Sequence, residues 1–230
     1  MTNGRWVRRL FLAVVFSLGP AAFADQVNIT LTSAGSNVLA GIYVNPYTAT
    51  VNGVTSTVIC DDFSADTYVG ESWTADVYTF DDLSNTKFGQ IYGAAASSKY
   101  NQAAWLTLQL LGTTNATIRR SISYAIWGTM DSSALTYLTT KAPAYVAATT
   151  DWMNQAQSQT FAAGQFSNFV VYTPNLNFAV TCNGGPCPSI PPQELLAIRA
   201  SESSAAELLI FNLIAVTAIA FVFRRRLLPA

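Results

Sequence analysis

Thr48-Ala49-Thr50-Val51-Asn52-Gly53-Val54-Thr55-Ser56-Thr57-Val58-Ile59-Cys60 decides the fold class. Asn and Gly reach positive φ at little cost, so Asn52-Gly53 between two β-branched runs predicts a tight antiparallel hairpin. Working outward, Val27, Ile29 and Leu31 alternate with polar neighbours, the period-two pattern of a half-buried strand. Ser36-Asn37-Val38 to Val44 is a second apolar run, ended by a turn at Asn45-Pro46. Trp73, Ala75 and Val77 interleave with Thr74, Asp76 and Tyr78 before Asp81-Asp82, which predicts a further strand.

The period then changes. From about Asn85, apolar residues crowd a helical segment containing Tyr100, Ala103, Leu106 and Leu110, which stops at Gly112. Asn115 or Thr117 can cap a second helix carrying Ile122, Tyr124, Ile126 and Trp127, with a break at Gly128 and Asp131-Ser132-Ser133. A third runs from Pro143 or Ala144 to about Gln157. Strands return at Asn168 to Tyr172, Leu176 to Thr181 and Glu194 to Ile198. No fixed-period repeat is visible. This order predicts one α+β domain, a β-sandwich or barrel with an inserted helical segment, over residues 25–198.

Composition narrows the chemistry. In 230 residues there is no histidine, which removes the Ser-His-Asp triad, the Cys-His pair and His-ligated zinc. The charged fraction is 11%, against roughly 25% in ordinary soluble domains. Most of the arginines lie in the terminal segments, and between Asp25 and Ile198 eleven carboxylates face five cations. Such an acidic body is unsuited to nucleic acid, whose binding needs clustered Lys and Arg.

Each terminal segment reads as an address. Arg5, Arg8 and Arg9 precede the apolar run Leu10 to Leu18, and Ala22-Phe23-Ala24 supplies small residues where signal peptidase reads. Residues 1–24 are therefore expected to be a signal peptide cleaved after Ala24. At the other end, Leu208 to Phe223 is apolar except for Asn212 and Thr217 and is followed by Arg224-Arg225-Arg226. Sixteen helical residues reach ~24 Å, enough for a thin membrane span when flanking residues at about 205–223 are included, and the arginines would stay on the cytoplasmic side. Together with Pro188, Pro191 and Pro192 and the tripeptide Ser201-Glu202-Ser203, the 199–230 segment resembles the PEP-CTERM sorting tail of bacterial secreted proteins. The resemblance implies handling by the membrane enzyme exosortase, with Ser-Glu-Ser standing where the family has Pro-Glu-Pro.

Three cysteines remain. Cys182 and Cys187 bracket Asn183-Gly184-Gly185-Pro186, a spacer that lets two Cα atoms approach, so a disulfide is expected in an exported chain. A metal half-site is the alternative, although Cys60 is the one other thiol available to it. Cys60 is then odd, which calls for burial, intermolecular pairing or reactivity. Val58-Ile59-Cys60-Asp61-Asp62-Phe63 with Ser123-Tyr124-Ala125-Ile126-Trp127 resembles the thioester domains of bacterial surface proteins. In that family the cysteine attacks a glutamine carboxamide and expels ammonia. Ser123 stands where the glutamine is expected and offers no acyl carbon, so the bond cannot form at this pair, and nothing nominates Gln102 or Gln109 instead. The middle of the chain, including Ala103-Ala104-Trp105-Leu106 and Pro192-Gln193-Glu194, also resembles other secreted PEP-CTERM proteins.

Asp61, Asp62 and Asp66 do not fit the spacing of an EF-hand and read as acids at loop ends, so no cofactor or metal is expected. The expected function is a structural or adhesive protein of the bacterial cell surface or extracellular matrix, without turnover. Its expected partners are the membrane through its C-terminal helix, exosortase, and extracellular polysaccharide or another surface component. Two rivals remain: an adhesin capturing amines through a Cys60 thioester, and a secreted carbohydrate-active enzyme using two of the acids.

Overall fold

A computed structural model of the chain describes residues 25–177, 180–182 and 191–199. In chain order the strands are β1 (Asp25–Ser33), β2 (Val38–Leu39), β3 (Ile42–Tyr43), β4 (Tyr47–Val51), β5 (Val54–Cys60), β6 (Glu71–Thr79), β7 (Phe169–Pro174), β8 (Thr181–Cys182) and β9 (Leu195–Ile198). Between β6 and β7 lie α1 (Lys87–Tyr92), α2 (Ala96–Leu111), α3 (Ala116–Met130), α4 (Ser133–Lys141) and α5 (Val146–Gln157).

The sheet closes. Antiparallel pairing runs β1-β4-β5-β9-β7-β6, and β6 returns to β1 with Trp73 opposite Ile29, so six strands form a barrel. β8 is added to β6 outside the ring, and β2 and β3 form a hairpin of their own. Of the two architectures left open by the sequence, the barrel is the one formed, with the helices inserted as a block. Asn52 and Gly53 take φ of 49° and 81°, as a hairpin twisting with its strands requires.

Alternation along the strands sorts two apolar layers. Ile29, Ala49, Val58, Ala75, Val170 and Leu195, one from each stave, belong to a single cluster and fill the barrel. Ile59, Val171 and Leu196 point the other way and pack against the helical block. Helix α3 serves both layers: Tyr124 and Trp127 join the barrel cluster, whereas Ile122, Ile126 and Met130 join the outer one.

Helix limits follow local chemistry. Asn115 Oδ1 accepts from the backbone N–H groups of Thr117 and Ile118 at 2.9 and 3.2 Å and so caps α3. Helix α2 stops at Gly112. In α1, Gly89 is packed so closely that a Cβ would lie 1.7 Å from the carbonyl oxygen of Leu83.

Three expectations need correction. Gly128 does not break α3, which runs to Met130 because its neighbours remain helical and its missing side chain makes room for Met153. The break at Asp131 is followed at once by α4, whose Ala134 and Leu138 are buried one turn apart and whose start is aided by Asp131 Oδ1 accepting from Ser133 N–H at 2.8 Å. Of the strand expected over Leu176 to Thr181, Leu176 and Asn177 instead form a turn after Asn175 and Thr181 belongs to β8, while 178 and 179 lie outside the described residues. Among the described residues no helix is long and apolar enough to cross a membrane. The signal peptide at 1–24 and the membrane helix at about 205–223 lie outside the described residues.

Candidate functional site

The sequence singled out Cys60 and Ser123, and the fold brings their elements together. Cys60 ends β5 and Ser123 lies on α3, one turn before Trp127. The Trp127 indole Nε1 donates to the Cys60 carbonyl oxygen at 2.9 Å. Asn45 clamps the backbone of the same residue from both sides of its Cα: its Oδ1 accepts from Cys60 N–H at 2.8 Å and its Nδ2 donates to Cys60 O at 2.9 Å. The sequence marked Asn45 only as part of a turn, since nothing local shows that its amide will pair with a backbone fifteen residues on.

The thiol itself is sealed. Cys60 is a free cysteine with 0% exposure, and its Sγ donates to the Asp62 carbonyl oxygen at 3.2 Å. Burial pushes the thiol well above its ordinary pKa, and the nearby Asp62 and Asp61 add to the effect. Ser123 is likewise fully buried, and its hydroxyl has no hydrogen-bond partner among the described residues. β5 and α3 thus meet at the Trp127–Cys60 hydrogen bond, with a buried, protonated thiol at the end of one and a buried serine on the other.

Next to this frame lies a polar seam that the sequence left scattered. Cys60 is opposite Leu195 in the β5–β9 ladder, and Asp61 N–H reaches the Glu194 carbonyl at 3.5 Å, so Asp61 and Glu194 face one another just beyond the strand ends. Both are 0% exposed, between the barrel wall and the first helices. Glu194 is well supplied with donors: Tyr100 hydroxyl to Oε1, Lys87 backbone N–H to Oε2 at 2.8 Å, and Thr173 hydroxyl to Oε2 at 2.5 Å. One carboxylate therefore ties α1, α2 and β7 to the root of β9.

Asp61 has no such supply. Neither carboxylate oxygen has a hydrogen-bond partner among the described residues. Burial drives its pKa well upward, and the charges of Glu194 and Asp62 drive it further, so the neutral acid is the form that fits. Glu194 is also raised by burial, with its hydrogen bonds to Thr173 and Tyr100 opposing the shift. Asp62, 1% exposed, is instead paired with Lys87 Nζ at 2.5 Å, and Ser64 donates to its Oδ1 at 3.0 Å. Asp61 and Asp62 lie in the loop directly after β5, at the loop end expected from the sequence, but β9 and α1 close over them. Their burial keeps both side chains from a polymer in solvent, which bears on the glycosidase reading that used them.

Among the described residues no group of three or more His, Cys, Asp or Glu side chains is placed to hold a metal ion. Gln102 and Gln109 lie on α2, and Gln102 Nε2 donates within that helix to Ser98. Cys182 is on β8, opposite Glu71 on β6. Its expected partner Cys187, together with Ala24, Ser201, Glu202, Ser203, Arg224, Arg225 and Arg226, lies outside the described residues. No family model matches the chain, no curated protein matches it, and no solved structure matches it.

Proposed function

We propose that the chain is an exported bacterial protein of the cell surface or extracellular matrix, whose barrel serves as a structural or adhesive body without turnover. The observation that carries this reading is positional. The described staves fall between Asp25 and Ile198, within the interval left by the two segments that the sequence reads as addresses. An acidic, histidine-free composition and a threonine-rich barrel surface suit that location. The membrane, exosortase and extracellular polysaccharide are the partners this reading implies. A sealed Cys60, with Ser123 in place of the expected glutamine on α3, favours a passive body over covalent capture of amines.

Intact mass of the protein recovered from the cell surface or medium tests this, with and without reduction. A chain beginning at Asp25, with its tail either cut near Ser201 to Ser203 or retained in the membrane fraction, is the expected result. A cytosolic chain still carrying Met1 to Ala24 would overturn it, as would a reporter fused after Ala230 that is active outside the cell. A mass deficit of one ammonia would restore the thioester reading.

A further inference from the structure

A groove of about 910 Å³ runs along the outside of the barrel where β1, β6 and the segment after β7 meet. Its volume is in the range of small-molecule sites, roughly 300–1,000 Å³, but its lining is mainly polar. Asp25, Asp76 and Asp82 carry three negative charges there against one positive charge on Arg199. That balance disfavours a polyanion.

Asp76 is held ready. A carboxylate offers about four acceptor positions. Gln26 Nε2 uses one on Oδ1 at 3.0 Å, and Asn175 Nδ2 uses one on each oxygen at 2.9 and 3.0 Å. The side chain is therefore fixed from β1 and from the segment after β7, with acceptor capacity left on Oδ2. Beside it, Tyr78 projects from the outward face of β6, packs partly against the helical cluster and contributes to the groove lining. Fixed planar acceptors, amide donors and a tyrosine in the wall suit the vicinal hydroxyls of a sugar ring.

We infer that this groove binds a saccharide chain free of acidic groups, either neutral or amine-bearing. The inference rests on the extracellular reading above and names the kind of polymer that reading brings to the barrel. The full chain, held in a detergent without sugar headgroups, is titrated calorimetrically with cellohexaose, a glucosamine hexamer and hexagalacturonate. The first two should bind, and the uronate should bind weaker by about tenfold or more. Asp76→Ala and Tyr78→Ala should each weaken binding by about tenfold or more, while Asp151→Asn on the remote face of α5 leaves it unchanged. Asn175→Ala, which frees Asp76 without removing it, should weaken binding with the fold intact by circular dichroism. Absence of binding by both non-acidic hexamers overturns the inference, and so does equal binding of the uronate or indifference to all three groove variants. Because export is read from the mature mass, a null titration on a chain that begins at Asp25 removes the groove proposal and leaves the surface reading in place.

Discussion

Trp127 on α3 and Asn45 in the loop before β4 donate to the same carbonyl oxygen, that of Cys60, each at 2.9 Å. Asn45 also accepts from the Cys60 N–H, so its loss orphans that buried N–H and leaves the carbonyl only the indole, whereas loss of the indole leaves both backbone groups of Cys60 with a partner. Asn45→Ala should therefore destabilise by about 2–4 kcal/mol and Trp127→Phe by about 1–3 kcal/mol. Urea unfolding of both variants checks the order; an equal or reversed cost would show that the clamp is not held as described.

The sealing of Cys60 predicts its reactivity. With no exposure and a raised pKa, the thiol should resist iodoacetamide in the folded chain and react fully after denaturation. Mass spectrometry of labelled peptides reads this directly. Rapid labelling under native conditions would show that the β5 end opens.

Asp61 predicts an uncommon pH dependence. Between the ordinary aspartate value of about 3.9 and its raised value in the fold, the folded chain keeps a proton that the unfolded chain has released. The unfolding free energy contributed by this group is therefore fully present below that window, falls as pH climbs through it and levels off above. Asp61→Asn places a neutral isostere at the site and should flatten this slope while raising the melting temperature at neutral pH. Thermal melts from pH 4 to pH 8 compare the two chains; parallel profiles would remove Asp61 as the source.

Gly89 predicts a steric limit. A methyl group there would meet the Leu83 carbonyl oxygen at 1.7 Å, and backbone cannot yield as a flexible side chain does. Although alanine is the better helix former, Gly89→Ala should cost about 2 kcal/mol or more. At Gly128 the neighbour is the mobile tip of Met153 at 3.0 Å, so Gly128→Ala should cost much less. Chemical denaturation of the two variants side by side tests the contrast.

The legible parts of the fold were those with local causes. Asn52-Gly53 announces its hairpin, the alternation at Trp73, Ala75 and Val77 announces β6, and Asn115 announces the start of α3. Closure of the sheet was not legible, because it depends on β1 pairing with both β4 and β6, and no property of Ile29 states that it has two partners. Helix α4 was hidden because Asp131-Ser132-Ser133 ends one helix and begins another with the same residues. For the site, Cys60 and Trp127 were singled out by the sequence, whereas the hydrogen bond that joins the indole to the Cys60 carbonyl was not. The carboxylate seam escaped because acids are ordinarily solvated, and Glu194 becomes buried only when Tyr100, Thr173 and Lys87, from three distant elements, converge on it.

The position of β9 in the ring also sets a timetable. This stave lies between β5 and β7, with Ile59 opposite Leu196 and Val171 opposite the same residue on the other side. A chain emerging amino end first makes the hairpin of β4 and β5 early, yet the wall keeps a gap until its final four-residue strand arrives. Until then two edges stand open, ready to recruit a wrong neighbour. Maturation is thus governed by contacts of long sequence separation, which favours slow completion and makes holdase protection of the unclosed wall valuable.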